Sequence, residues 1–381
     1  MDQKDSARRW GAAVSEKFRA KLSAVRERSA EKIPARAVNG VHDDRGDGGD
    51  YTPDNGLCWW TNGFWAGMMW QMYRDTGDER YAQIARRTEH RLDACFESFL
   101  GLHHDVGFMW LPSAVADWRL TGSADSRRRG LHAAGLLAGR FNPAGFIRAW
   151  NDSYGKDTRG WAIIDCMLNL SLLYWASEET KDPRFRHMAE IHADTVRKNF
   201  VRPDGSVRHI VEFDPETGAF VRDYGGQGLA RGSAWTRGQS WGLYGFANSF
   251  RHTGRRDYLE TSCKIADYFI AHIPEDGKIP VDFDQPAQPA WRDDIAAAAA
   301  SGGLIELART VPEKSEEYLA AALKMLRALD ATADWNPETD GILRDCSADY
   351  HGSEHNVNFV YGDYFFLEAV LKLKGTELFI W

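Results

Sequence analysis

Two aspartates lie where a carboxyl group could transfer a proton. Asp165 is the acid of the run AIIDCML, with apolar residues on both sides. Burial in apolar surroundings raises the pKa of a carboxyl group, so Asp165 is a candidate proton donor near neutral pH. Asp105 follows two histidines in HHDVGF, at the entry to a second apolar segment. A pair of carboxyl groups is typical of glycoside cleavage, although either aspartate alone could be a helix cap or an arginine partner.

Aromatic residues and one arginine accompany these acids. The chain has 15 Trp among 381 residues, and such rings either pack in a core or stack on sugars. The candidates for both roles lie in polar and aromatic runs along the chain: Trp60, Trp65, Trp150, Trp235 and Trp241. Arg237 lies in SAWTRGQSW, a segment otherwise almost free of charge. Such an arginine requires an anionic partner, either from the protein or from a ligand.

The sequence predicts neither a metal site nor a cofactor. His103, His104 and His209 are not accompanied by a histidine pair at i, i+4 spacing or by a Cys/His cluster. The glycine-rich run GGQG lacks the strand-and-helix context of a dinucleotide loop, and we expect neither a Walker motif nor a GxSxG nucleophile elbow. The five cysteines are scattered without a CxxC pair, which favours a reducing, cytoplasmic setting over a zinc site or disulfide framework.

The charge balance excludes one class of partner. Lys+Arg 47 against Asp+Glu 55 gives a net charge of −8, whereas a nucleic-acid binder needs a basic surface. The charged N-terminal segment lacks the apolar core of a secretory signal, and no stretch approaches the roughly 18 apolar residues of a membrane span. We therefore expect a cytoplasmic protein without nucleic-acid or membrane partners, as a monomer or weak homo-oligomer.

Two kinds of helical segment alternate along the chain. Segments that are apolar nearly all round, such as GWAIIDCMLNLSLLYWASEE, predict helices buried on both sides. Each is followed by a polar turn and an amphipathic segment with a solvent-facing stripe. Five such pairs are visible internally, and the C-terminal segment with the N-terminal helix makes a sixth. The pattern predicts an all-α (α/α)6 barrel in a single domain over residues 1–381, with an open α-solenoid as the alternative.

The same pattern predicts boundaries and loops. We expect the N-terminal outer helix over residues 1–35 and the last inner helix over 360–375. Two short strand-like runs, SVRHIVEF and KIPVDF, predict small β-hairpins in the loops at one mouth of the barrel. The long non-helical stretches 201–235 and 275–294 favour the barrel, because long loops usually carry function.

Five motifs occur in an order that resembles a known family. HHDVGF, GWAIIDCMLNL, FDPETG, SAWTRGQSWGLYGFA and GDYFFLEAVLKL together resemble the unsaturated glucuronyl hydrolases of glycoside hydrolase family 88. The resemblance extends from about Trp60 to Leu373. It implies an (α/α)6 barrel without a cofactor or metal, acting on unsaturated uronate-containing oligosaccharides left by polysaccharide lyases.

The resemblance also implies roles for individual residues. Asp165 would be the general acid and base, and Asp105 the second essential carboxylate. Four further residues match motif positions that bind substrate, namely His209, Gln227, Arg237 and Trp241. The remaining expected substrate-binding residues lie in the pocket-lining segments and in the loop before the last inner helix: Trp60, His104, Trp150, Trp235 and Ser353.

The implied reaction protonates C4 of the unsaturated uronate, adds water at C5 and expels the neighbouring sugar. Three alternatives stay open from the sequence. The first is an unsaturated rhamnogalacturonyl hydrolase of a related family, and the second is a conventional inverting glycosidase on the same barrel. The third is a non-catalytic sugar-binding protein, which would have no need of two buried acids.

The loop before the last inner helix is expected to determine whether the protein prefers sulfated substrates. Family members that favour such substrates carry Ser together with Lys in this region. Here Ser353 is present, but neither Lys nor Arg occurs between Cys346 and Tyr361. A charge-assisted hydrogen bond is roughly twice as strong as a neutral one. We therefore expect a preference for non-sulfated disaccharides.

Overall fold

Helices dominate the structure, a computed structural model that describes residues 3–47, 56–151 and 156–381. The helices are, in chain order, α1 (Gln3–Arg28), α2 (Phe64–Thr76), α3 (Glu79–Leu92), α4 (Cys95–Ser98), α5 (Val106–Trp110), α6 (Ala116–Thr121), α7 (Ala124–Ala138), α8 (Cys166–Thr180), α9 (Pro183–Asn199), α10 (Thr236–Thr253), α11 (Arg256–Ala271), α12 (Asp294–Thr310), α13 (Ser315–Thr332) and α14 (Val360–Lys374). A π-helical turn, Leu111–Val115, joins α5 to α6, so these two form one inner element.

The inner helices form a closed ring. α8 contacts α5 and α10, α12 contacts α10 and α14, and α14 contacts α2. The π-helical turn between α5 and α6 packs on α2 and closes the circle. Outside this ring, α3, α7, α9, α11 and α13 each follow an inner helix, and α1 packs on α14 as the sixth outer helix. The predicted (α/α)6 barrel, including the pairing of the first and last helices, is confirmed, and the open solenoid is excluded.

Burial follows the two patterns of the sequence. In α12 every residue from Asp294 to Ala308 is buried, as expected for a helix enclosed on both sides. In α1 the buried positions recur at helical spacing and include Val14, Phe18, Leu22 and Val25, whereas the opposite face is exposed. The core therefore fills the space within and between the two rings.

The strands are short and lie in the loops. They are β1 (Ala37–Val38), β2 (Val41–His42), β3 (Phe141–Asn142), β4 (Phe146–Ile147), β5 (Trp161–Ile163), β6 (Ile210–Phe213), β7 (Phe220–Tyr224), β8 (Cys346–Ser347) and β9 (His355–Val357). All pairs are antiparallel: β1 with β2, β3 with β4, β6 with both β5 and β7, and β8 with β9. The hairpin predicted at SVRHIVEF is confirmed as β6 with β7.

The hairpin predicted at KIPVDF is wrong. This segment forms only isolated bridges, pairing Asp282 with Trp235 and Pro280 with Arg292. The buried Asp282 carboxylate accepts hydrogen bonds from the Leu229 N–H and the Ser233 hydroxyl. These bonds hold the segment against the glycine-rich loop, and not against a partner strand.

Helix α1 ends at Arg28, seven residues before the predicted boundary, and residues 1 and 2 lie outside the described ranges. After Arg28 the Ile33 N–H donates to Asp44 and the Ala35 N–H donates to Asp43, so the backbone bonds are made to side chains and not to a helix. The last inner helix, Val360–Lys374, lies within one residue of its prediction. In the described ranges no helix is long and apolar enough to cross a membrane.

Close packing of α8 on α10 yields a testable prediction. A Cβ atom at Gly245 would lie 2.4 Å from Met167 Cβ, whereas one at Gly135, on the exposed face of α7, would meet nothing within 4 Å. Gly245→Ala should therefore lower the free energy of unfolding by about 1–3 kcal/mol through overpacking. Gly135→Ala, the matched control, should raise it by about 0.5–1 kcal/mol because alanine favours a helix. Urea unfolding measures both changes, and equal effects of the two substitutions would contradict the proposed contact.

Candidate active site

Asp105 and Asp165 lie at the amino-terminal ends of α5 and α8, which are neighbours in the inner ring. Each aspartate occupies the N-cap position, but neither carboxyl group accepts a capping hydrogen bond from its own helix. Both are buried, with exposures of 6% for Asp105 and 8% for Asp165. Helix capping therefore does not explain either acid, and the structure brings together the two residues that the sequence singled out.

Asn169 joins the two acids, and sequence reasoning missed it. Its Nδ2 donates to Asp105 Oδ1 at 3.0 Å and to the Asp165 carbonyl at 3.1 Å. Its Oδ1 accepts from the Phe108 N–H at 2.8 Å. A Cβ at Gly107 would lie 2.5 Å from this Oδ1, so the approach of α5 to α8 requires glycine there. The sequence indicates Asn169 only as a polar residue four positions, or one helical turn, after Asp165 in a mostly apolar segment.

The pKa of the Asp165 carboxyl group is strongly raised. Burial raises its pKa from 3.8 to about 7, and the positive charge of Arg237 and the nearby Trp241 indole only partly oppose this effect. Its Oδ2 makes no hydrogen bond to any described residue and lies 3.7 Å from His209 Nε2. Near neutral pH this carboxyl group is therefore partly protonated and available to a ligand.

His209 faces Asp165 as a neutral ring. The Gln227 N–H donates to His209 Nδ1 at 3.0 Å, and the Gly225 carbonyl lies farther from the same nitrogen, at 3.3 Å. From the shorter contact we assign the ring proton to Nε2, on the side of Asp165. Burial lowers the pKa of His209 to about 3, which keeps the ring uncharged. A Cβ at Gly226, which has φ 58°, would lie 2.0 Å from Nδ1. Glycine is required at that point for the loop to reach the histidine.

His104 faces the other acid. Its Nδ1 donates to the Ala149 carbonyl at 2.9 Å, and this bond turns Nε2 toward Asp105 Oδ1 at 3.1 Å. Burial lowers the pKa of His104 well below its usual value. Possible ligand atoms of His103, His104 and Asp105 lie within 4.8 Å of one another, so the expected independence from metals stays a prediction.

Arg237 has an anionic partner within the protein. Its Nη1 lies 3.1 Å from Asp293 Oδ2, and both side chains are essentially buried. The same guanidinium donates to the Ser347 and Ala348 carbonyls at 2.8 and 2.5 Å. Gln227 Nε2 also donates to the Ala348 carbonyl, at 2.7 Å. Two residues expected to bind substrate thus also hold the loop between β8 and β9, residues 348–354, against the site.

The predicted aromatic contacts fall into two groups. Trp60 and Trp150 are partly exposed and can present a ring face to a sugar, and Trp150 contacts the His104 ring edge-on at 5.8 Å. Trp235 and Trp241 are buried, at 2% and 0% exposure, so their rings support the site from behind. Sugar contact by these four residues stays a prediction.

Three other sequence features make no contact with the two acids in the described residues. Trp65 is fully buried and belongs to the core. The run GQSWG at 238–242 has the spacing of a hydrolase nucleophile elbow, but Ser240 is buried within α10 and donates to the Thr236 and Ala296 carbonyls. Ser353 is exposed near the end of the loop 348–354, and its contact with substrate stays a prediction.

A barrel with a pair of buried acids is the arrangement expected of a glycoside hydrolase. Residues 28–349 match Glycosyl Hydrolase Family 88, and the chain belongs to that family. It is 41% identical to the unsaturated glucuronyl hydrolase of Bacillus sp. (strain GL1) over 331 residues, which cover 84% of this chain and 88% of that one. The expected family and enzyme class are confirmed.

Solved structures agree with this assignment. The crystal structure of the Bacillus sp. GL1 enzyme matches with a TM-score of 0.87 at 36% identity, covering 96% of this chain and 97% of that one. An Asp-to-Asn mutant of the unsaturated glucuronyl hydrolase from Streptococcus agalactiae, complexed with dGlcA-GalNAc6S, matches with a TM-score of 0.81 at 28% identity. Here the coverage is 97% of this chain and 94% of that one.

The bridging role of Asn169 predicts a specific defect. Asn169→Asp keeps the acceptor for the Phe108 N–H but replaces the donor to Asp105 with a second carboxylate. Loss of a hydrogen bond to a charged group costs about 2 kcal/mol, so kcat/KM should fall by about 30-fold or more. The matched control is Asn199→Asp on the outer helix α9, which should leave kcat/KM unchanged. Equal activity of the two variants would exclude Asn169 from the site.

Proposed function

We propose that this protein releases the 4,5-unsaturated uronic acid from the non-reducing end of lyase-generated oligosaccharides, glycosaminoglycan-type disaccharides in particular. The observation that carries the proposal is the Asp165 carboxyl group, which is buried, has a pKa raised to about 7 and keeps one oxygen without a hydrogen-bond partner in the described residues. Such a group can deliver a proton to carbon, a step that a fully ionised carboxylate cannot perform.

The substrate supplies the rest of the reactivity. Its C4=C5 double bond carries the ring oxygen at C5 and is therefore a vinyl ether. Transfer of the Asp165 proton to C4 forms a C–H bond and leaves positive charge at C5, which the ring oxygen stabilises. Water then adds at C5 and returns a proton to the Asp165 carboxylate. The resulting hemiketal opens, and the hemiacetal formed at C1 expels the neighbouring sugar.

The surrounding residues position this substrate. Asp105, held by Asn169, is placed to accept hydrogen bonds from ring hydroxyls. His209 presents its Nε2–H beside Asp165, where it can donate to the attacking water or to the substrate carboxylate. The partly exposed rings of Trp60 and Trp150 offer apolar faces for the two sugars. Each step uses protein groups and water alone.

One assay separates this function from its alternatives. The enzyme is incubated with unsaturated disaccharides while the ultraviolet absorbance of the conjugated alkene is followed. Hydration of the double bond removes the absorbance as the sugar is released. An inverting glycosidase would release the sugar without the initial loss of absorbance, and a sugar-binding protein would do neither. Parallel assays with glucuronyl and rhamnogalacturonyl substrates separate the two unsaturated-uronate activities.

The compartment and assembly are part of the same proposal. All five cysteines are free, which supports a reducing, cytoplasmic location. We also propose that the protein acts as a monomer or weak homo-oligomer. The net charge of −8 supports a function without nucleic acid.

Asp165→Asn should abolish turnover without unfolding the protein. An amide of equal size cannot transfer the proton, so kcat should fall by about 10³-fold or more. The matched control is Glu89→Gln on the outer helix α3, since burial also raises the pKa of Glu89 to about 7 but far from the site. In wild type the donor is protonated below its pKa, so kcat/KM should decrease as the pH rises through about 7. Activity of Asp165→Asn within tenfold of wild type would remove this residue from the mechanism.

The loop 348–354 supports the expected preference for non-sulfated sugars. Among the described residues, Arg36 and Arg237 contact this loop, and both are paired: Arg36 with Glu354, and Arg237 with Asp293. Arg36 also lies 3.9 Å from Asp43 Oδ2. Neither guanidinium offers an uncompensated positive charge to a sulfate. The S. agalactiae relative complexed with dGlcA-GalNAc6S holds a sulfated sugar, so the two proteins should differ in this property.

Matched chondroitin disaccharides with and without a 6-sulfate test this preference. We expect kcat/KM to be higher for the non-sulfated disaccharide by about tenfold, because a sulfate near Asp349 and Glu354 would lose hydration and be repelled without a compensating cation. A clear preference for the sulfated disaccharide would contradict the prediction and would indicate that a cation reaches the leaving sugar.

A further inference from the structure

Arg237 interacts electrostatically with two buried carboxyl groups, those of Asp293 and Asp165. Its Nη1 is 3.1 Å from Asp293 Oδ2, with exposures of 2% and 0% for the two side chains. Its charge also acts on Asp165 and lowers the pKa of that proton donor. A buried cation has a strong electrostatic effect on its neighbours, because little water screens it. Asp293, in contact with Arg237, is therefore placed to offset part of the positive charge that acts on Asp165.

The N-terminus of α12 holds Asp293 in this position. This residue is the N-cap of α12, and its side chain accepts a hydrogen bond from the Ile295 N–H at 3.3 Å. The helix N-terminus and Arg237 both favour the ionised carboxylate, while burial opposes them and raises the pKa of Asp293 to about 6. At neutral pH Asp293 is therefore mostly charged and neutralises Arg237.

We propose that Asp293 is a positioning residue of the reaction: by neutralising and holding Arg237, it allows Asp165 to keep its proton at neutral pH. Without the Asp293 charge, the uncompensated guanidinium would stabilise the ionised form of Asp165 and remove the proton donor. Asp293 acts on the chemistry only through Arg237. This inference rests on the proposed role of Asp165 as the proton donor.

Other titratable groups around the pair do not substitute for Asp293. Burial keeps the nearby thiols of Cys166 and Cys346 and the Tyr361 hydroxyl protonated, because it raises the pKa of each. The groups facing Asp165 and Arg237 from the surrounding elements are, in chain order, His104, Asp105, Cys166, His209, Asp293, Cys346 and Tyr361. Asp294, the next residue of α12, instead accepts from the Asp345 N–H at 3.1 Å.

The test compares the pH dependence of Asp293→Asn with that of wild type on an unsaturated disaccharide. Asparagine is a good N-cap, so the bond to the Ile295 N–H is kept while the charge is lost. We expect the pH at which kcat/KM declines to move down by about one unit, which makes the variant about tenfold slower at pH 8. Below about pH 5 wild type and variant should converge, because Asp293 is protonated there in wild type as well. The matched control, Asp294→Asn, should keep the wild-type midpoint.

A purely structural role for Asp293 would give a different result. Loss of packing alone would lower kcat/KM equally at every pH, and an unchanged midpoint in Asp293→Asn would overturn the proposal. If wild type does not turn over unsaturated disaccharides, the proposed function is contradicted. Infrared spectroscopy then still tests whether Asp293 controls the protonation of Asp165.

Infrared spectroscopy of the free protein reports the Asp165 proton directly. The band of its protonated carboxyl group at pH 7 is isolated by subtracting the spectrum of the same protein carrying Asp165→Asn. We expect this band in wild type, a weaker band in Asp293→Asn and recovery in the double variant Asp293→Asn/Arg237→Gln, which removes both charges of the buried pair. An undiminished band in Asp293→Asn, or no recovery in the double variant, would overturn the proposal.

Discussion

The desolvation of one carboxyl group, that of Asp165, is the constraint on which the rest of the site depends. Burial moves its pKa from 3.8 to about 7, which disfavours the ionised form by on the order of 4 kcal/mol. Water would cancel this effect, so the apolar flank of α8 and the closed ring of inner helices are needed to exclude it. The same closure brings the amino-terminal ends of α5 and α10 to this carboxyl group. A barrel that opened between two helices would lose both the desolvation and the alignment.

A layer of buried polar residues behind the substrate-facing groups maintains this geometry. Asn169 fixes α5 to α8, Asp293 fixes Arg237, and Asp282 accepts hydrogen bonds from the Leu229 and Ala234 N–H groups to hold the glycine-rich loop. Each is almost fully buried, so each must be hydrogen-bonded or paired to be tolerated. These residues fix the distances between the catalytic groups, which the convergence of the helix ends alone would leave variable.

The sequence predicted the barrel well because its signals are local. The periodicity of α1 and the all-round apolarity of α8 and α12 each follow from neighbouring residues, and closure follows from counting the pairs. Asp165 could also be predicted, because its apolar flanks are adjacent in the chain. By contrast, Asn169 and Asp293 contact Asp105 and Arg237, which lie 64 and 56 positions away in the chain, so the partner of each could not be predicted from neighbouring residues. The end of α1 and the bridges of KIPVDF were missed because both depend on side-chain contacts that no periodicity shows. Asp43 and Asp44 accept hydrogen bonds from the backbone that follows α1, and Asp282 of KIPVDF accepts one from the Leu229 N–H.

The proposed mechanism requires enzyme-catalysed protonation of C4 of an unsaturated uronate, and turnover in deuterium oxide detects this step. The early product is examined by nuclear magnetic resonance before chemical exchange at C4 becomes significant. We expect one deuteron at C4, delivered to a single face, in step with the loss of the alkene absorbance and with release of the neighbouring sugar. Release of the sugar with the double bond intact and no deuterium at C4 would contradict the proposed mechanism.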